Sequence, residues 1–180
     1  MDIVAHTLWA AAGAVVIHRR RPMSRGTAMI AVALAAVPDV IHLLPLAGWW
    51  LFGDGSFAAL RAYAVAVPGQ EPVLPQLVGL LSHHLHCVMH SAPIAAVTTL
   101  ALWAVLRTLW IPLLGWWSHI VIDVFTHSAD YYAVPVLYPF SYRGFDGIAW
   151  ITPWFMALNY AALATVGAWL LMSRRRPEAR

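Results

Sequence analysis

Five apolar stretches, each closed by a polar or Pro/Gly-rich interruption, set the outline of the chain: residues 3–17, 27–46, 77–106, 110–126 and 148–172. Runs of this length predict helices, and the expected fold is an all-α, polytopic membrane bundle of about five transmembrane helices. The first run is followed by Arg19-Arg20-Arg21, whereas a signal peptide places its positive charge before the apolar core; a retained helix is expected. In the second run Pro38 is expected to kink or restart the helix beside Asp39 and His42. Residues 49–75 mix Gly, Pro and acidic positions and read as an external loop with a short interfacial helix around 57–67. In the third run Pro93 is expected to divide a His-bearing segment from the spanning part. Residues 128–147 form an outer loop, and the last run, almost free of ionisable groups, reads as a packing helix.

Composition fits a membrane protein. The 180 residues are 61% hydrophobic and only 11% charged, with a mean hydropathy of +0.69; a soluble domain carries about twice that charge. Residues 1–180 are read as one integral membrane domain with a basic tail at 173–180. Ten Trp suit interfacial belts. The basic residues are all Arg, clustered at Arg19, Arg20, Arg21 and Arg25 and again at Arg174, Arg175 and Arg176. Such clusters fix topology and do not call for a nucleic-acid partner. They predict an N-terminus outside and a C-terminus in the cytoplasm. Cys87 is the only cysteine, which excludes an intramolecular disulfide and a Cys-based zinc site.

The candidate chemistry lies in the fourth run. His119, Asp123 and His127 fall at i, i+4 and i+8, on one helical face in an apolar setting. There the groups are costly unless paired or ligated. The predicted topology sorts the rest. His6, Asp39, His42, His83, His86, His90, His119, Asp123 and His127 all fall at the outer ends of the first four helices, and of nine His only His18 lies at the inner end. His6, Asp39, His42, His86, His90, His119, Asp123 and His127 are the expected metal ligands, His84 and His18 are not. Neutral imidazoles with carboxylates suit Zn²⁺, as one ion or a pair, with Mn²⁺ or Fe²⁺ as alternatives. Metal-activated water then points to hydrolysis of an ester, phosphoester or amide at the outer face. Arg143 and Asp146, on the outer loop, are expected either to grip that substrate or to pair with each other. Haem ligation, metal transport and a purely structural polar cluster are the competing readings.

Four motifs resemble one bacterial family. These are His6; Pro38-Asp39-Val40-Ile41-His42; Met89-His90-Ser91; and Gly115-Trp116-Trp117-Ser118-His119-Ile120-Val121-Ile122-Asp123-Val124-Phe125-Thr126 followed by Leu137-Tyr138-Pro139. In this order they resemble the inner-membrane, membrane-bound metal-dependent hydrolases, also described as LexA-binding inner-membrane-associated hydrolases. The resemblance implies a bacterial inner-membrane location, a metal site facing the periplasm and hydrolysis; it names no substrate, and a small-molecule or lipid-derived ester or phosphoester among membrane lipids is the expected class. The chain departs from the family pattern at Ile41, where the family has a second Asp, and at Leu85-His86, in place of its His-Arg. His42, His86 and His127 stand near to compensate.

Overall fold

A computed structural model describes residues 1–173. The second Arg cluster, Arg174 to Arg176, and nearly all of the basic tail lie outside the described residues. The described chain forms eight α-helices and no strands: α1 Ile3–Arg20, α2 Arg25–Ile41, α3 Leu44–Phe52, α4 Phe57–Ala64, α5 Gln76–Met89, α6 Ala92–Leu106, α7 Leu113–Thr126 and α8 Pro153–Met172. Local signals set their starts. Asp2, Ser24, Ser56 and Ser91 cap α1, α2, α4 and α6 through side-chain oxygens that accept the N–H groups of Ala5, Thr27, Ala59 and Ile94. The short helix expected in the external loop is α4.

The second and third apolar runs each become two helices. α2 and α3 meet at 61°, α5 and α6 at 64°. Both breaks follow one steric rule: a proline ring clashes with the carbonyl four residues before it. Pro93 ends α5 at Met89, as expected, and Pro45 ends α2 at Ile41. The break expected at Pro38 is therefore displaced, because Pro38 is buried inside an unbroken α2. α8 is the one described helix that is by itself long and apolar enough to cross a membrane, and each bent pair meets that test when its two parts are joined.

α1 packs on α2, α2 on α7, and α8 lies against α1, with most of its surface turned outward. Trp9 on α1 donates to Asn159 on α8 at 2.9 Å, and at the other end Arg19 donates to the Leu170 carbonyl at 2.6 Å. The Arg-bearing ends of α1 and α2 and the C-terminal end of α8 thus share one end of the bundle. Ala95, Leu113, Trp116 and Ile120 form the buried apolar core between α6 and α7.

α2 and α7 run in the same direction and touch through backbone. A Cβ on Gly115 would lie 1.8 Å from the Ala31 carbonyl oxygen. Buried Ala31 and Ala35 face α7 with the smallest side chains that keep the helix intact. Gly115→Ala should therefore force the two helices apart and destabilise the fold by about 1–3 kcal/mol. Gly13 has open space around its would-be Cβ, so Gly13→Ala should be neutral or stabilising, by up to about 1 kcal/mol. Thermal unfolding of the two variants in detergent tests the contrast.

Candidate metal centre

The α2–α7 approach brings four residues from three helices to one point. α7 supplies His119 and Asp123 one turn apart, α2 supplies Asp39 and the end of α5 supplies His90. One atom from each lies within 4.8 Å of the other three. His119 Nε2 is 3.0 Å from His90 Nε2, 3.1 Å from Asp123 Oδ2 and 3.6 Å from Asp39 Oδ1. His90 Nε2 is 3.3 Å from Asp123 Oδ2 and 3.8 Å from Asp39 Oδ1. Four ligands at zinc's bond length of about 2.0–2.1 Å form a tetrahedron with edges of about 3.3–3.4 Å. The observed separations bracket that edge.

The atoms behind the ligands fix their orientation. His119 Nδ1–H donates to the Ala35 carbonyl at 2.8 Å, and His90 Nδ1–H donates to the His86 carbonyl at 2.8 Å. Each bond selects the tautomer with a lone pair on Nε2, which is the atom facing the cluster. Asp123 is divided in the same way. Its Oδ1 accepts from His6 Nε2 at 2.8 Å, from Thr126 at 3.3 Å and from the Met1 amine. Its Oδ2 is buried without a partner. Among the described residues the buried side-chain polar atoms without a hydrogen-bond partner are His6 Nδ1, Asp39 Oδ2, His42 Nδ1 and Asp123 Oδ2, all in this layer. Buried polar atoms are otherwise nearly always satisfied. Two carboxylates and two imidazole lone pairs converging away from solvent suit a divalent cation.

The other expected ligands stand around this quartet. His6 stacks on His119 with ring centroids 3.9 Å apart and donates to Asp123; it holds two ligands in place. His42, His86 and His127 line a cavity of about 330 Å³ beside the quartet, with Asp39 on its wall. His127 lies just beyond α7 in extended backbone, and its Nδ1–H donates to the Asp123 carbonyl at 3.1 Å. His83 lines the same cavity. His84 meets the Tyr138 hydroxyl at 3.0 Å, and His18 bonds the Met23 backbone. Arg143 is exposed and does not line the cavity. Asp146 accepts the Ala129 N–H at 2.8 Å, which fastens the outer loop to itself.

Two features of the loops around the cavity lie outside the sequence-based expectations. Residues 147–150 donate N–H groups to the carbonyls of Phe125, Thr126 and His127, closing the end of α7. Tyr63, Tyr131, Tyr132, Trp150 and Glu71 line the cavity opposite the histidines. The Tyr132 hydroxyl donates to Glu71 Oε1 at 2.7 Å, and this bond holds the Glu71 carboxyl below its usual range. Burial, with Glu71 beside it, pushes the Tyr132 phenol up. The Tyr131-Tyr132 doublet close behind His127 was the available signal.

No family model, curated protein or solved structure matches the chain. The residues themselves carry the functional reading. His90→Ala, His119→Ala, Asp39→Ala and Asp123→Ala should each abolish stoichiometric divalent metal in detergent-purified protein. His84→Ala and His18→Ala should retain it. Metal analysis by mass spectrometry reads the result, and equal metal content in all six variants would refute the quartet.

Proposed function

We propose that the protein is a membrane-embedded, metal-dependent hydrolase, with Zn²⁺ as the favoured ion and an ester or phosphoester as substrate. The observation that carries this reading is the juxtaposition of a tetrahedral His/Asp quartet with a cavity that shares Asp39. A structural zinc site is closed by its protein ligands, whereas a hydrolytic one keeps a position for water; here water would reach the ion from the cavity past Asp39, the one partly exposed member of the quartet, as a further ligand. Asp39, His90, His119 and Asp123 would hold the ion. When bound, it supplies Lewis acidity and lowers the pKa of water toward neutrality. The four-part motif resemblance points to the same chemistry.

The chain's own residues take the remaining roles. His127 lines the cavity, and its Nδ1–H is committed to the Asp123 carbonyl, leaving a lone pair on Nε2. That nitrogen accepts a proton from the attacking water and returns it to the departing alcohol oxygen. His42 and His86 stand edge to face, ring centroids 5.7 Å apart, and complete the imidazole wall. A haem reading fits less well. The Nε2 atoms of His90 and His119 are 3.0 Å apart with carboxylates beside them, leaving no gap for a macrocycle.

The five-span topology with the site facing outward belongs to the same proposal. The Arg-rich turn before α2 and the quartet lie at opposite ends of α2, and an Arg-rich end is held in the cytoplasm. On a Cys87→Ala background, Asp130→Cys should label from outside intact cells, and Arg21→Cys only after permeabilisation. The reverse pattern would invert the orientation.

His127→Ala should keep the metal and lower hydrolysis of a responsive substrate by about 10²–10⁴-fold. Arg143→Ala, outside the cavity, should leave both unchanged. The assay uses reconstituted protein and a panel of carboxyl-ester, phosphomonoester and phosphodiester substrates. Metal-loaded protein that turns over none of them would leave a non-catalytic metal site.

A further inference from the structure

The loop side of the cavity has a composition unlike its histidine side. Tyr131 meets Trp150 at 80° with ring centroids 6.1 Å apart, and meets Tyr132 at 73° and 5.2 Å. Rings set near right angles make the walls of a box, and Tyr63 lines the same cavity. Tyr132 holds a left-handed backbone, φ 49°, a conformation rare for a bulky residue and found where function maintains it. From there its hydroxyl reaches Glu71 at 2.7 Å and the Ala66 carbonyl at 3.3 Å.

Charge is one-sided. No Arg lines the cavity, and its carboxylates are Asp39 and Glu71. With a divalent ion in the quartet, Asp39 and Asp123 balance its charge, leaving Glu71 as the unmatched charge on the wall. Glu71 Oε1 accepts from Tyr132 and Oε2 accepts the Gly69 N–H at 2.9 Å. Each oxygen already accepts one hydrogen bond, so Glu71 offers its field with fewer free lone pairs. A cation without N–H groups loses nothing by this, whereas a primary ammonium would want three acceptors.

We propose that this aromatic box binds a quaternary ammonium group, so that the substrate is an ester of a choline-type cation. Tyrosine and tryptophan faces attract such cations through their quadrupoles, and the carboxylate adds to the attraction. The substrate assignment rests on the hydrolase reading, because it places the scissile bond at the quartet; binding of the cation does not. A phosphocholine lipid headgroup and a soluble choline ester share this chemistry.

The test separates the two claims. Choline and its uncharged isostere 3,3-dimethylbutan-1-ol are titrated against metal-loaded protein in maltoside micelles, with binding read by NMR of the methyl groups. Choline should bind about tenfold more tightly than the isostere. Glu71→Gln and Tyr131→Ala should each erase most of that preference with metal content unchanged. Tyr132→Phe, which removes only a hydroxyl, should weaken choline binding if the bulkier change unfolds the loop. Equal binding of choline and isostere by the unmodified protein would overturn the proposal while leaving the metal site intact. Choline selectivity in protein that holds no metal would support the box and count against the hydrolase. Turnover of phosphatidylcholine in vesicles against glycerophosphocholine in solution distinguishes the lipid from the soluble source; cleavage confined to anionic phosphatidylglycerol would overturn the assignment.

Discussion

The close approach of α2 and α7 is the constraint on which the centre depends. At Gly115 the two backbones meet with no room for a Cβ. One turn further along, the Ala35 carbonyl receives the His119 Nδ1–H. One turn further again, Asp39 and Asp123 face each other across the quartet. Positions 31, 35 and 39 on one helix thus match 115, 119 and 123 on the other, each pair four residues after the last. The parallel 3.6-residue repeats carry the contact from a steric fit to a hydrogen bond to a ligand pair. In lipid no hydrophobic drive separates helix from tail, so small residues that permit backbone contact are what hold such a pair together.

The same approach imposes an electrostatic cost. Asp123 is fully buried, and Asp39 is largely so. Breaking a buried charge away from its partners costs several kcal/mol, about 3–5 where it has been measured. Donors surround Asp123 Oδ1, while its Oδ2 and the Asp39 Oδ2 have none. For His90, His119 and Asp123 the fold anchors one atom away from the cluster and turns the other into it, while Asp39 turns Oδ1 toward the cluster and leaves Oδ2 without a partner. The inner nitrogens of His90 and His119 and Asp123 Oδ2 lie 3.0–3.3 Å from one another, and with both Nε2 atoms unprotonated these lone pairs repel. A cation between them would turn that repulsion into attraction.

How much of this was legible depended on whether a feature follows from local spacing. His119 and Asp123 were legible because one helical turn separates them, and His90 because Pro93 marks a break beside it. The break at Ile41 obeys the same rule, through Pro45, and not through Pro38: a proline inside an apolar run is visible, and whether the helix tolerates it depends on packing. His127 shares the i+4 spacing, yet α7 ends before it, because residues 147–150 take the last carbonyls. That contact joins positions twenty residues apart in sequence and leaves no periodic trace. Arg143 is legible as a substrate clamp by type and loop position, and it is exposed outside the cavity wall. The Glu71–Tyr132 bond links two loops sixty-one residues apart and has no local signature.

The two helix breaks explain why an irregular site can exist in so apolar a bundle. Unpaired backbone groups at membrane depth are tolerated only where protein satisfies them. At the α5–α6 break Trp116 donates to the Met89 carbonyl at 2.6 Å, Ala92 donates to the Val136 carbonyl at 2.9 Å, and Ser91 donates to the Tyr138 carbonyl. At the α2–α3 break Ser82 donates to the His42 carbonyl at 2.6 Å. Each break is therefore closed by an element that also borders the centre, and His90 and His42 sit at the two bends. A straight helix would carry these histidines along the bundle with its own axis. Bent helices turn them across it, toward α7, and the backbone groups freed by bending fasten α5, α7 and the Tyr138 turn into one layer. The apolar runs thus supply both the solvent-free surroundings and, at their prolines, the polar anchors that a metal site requires.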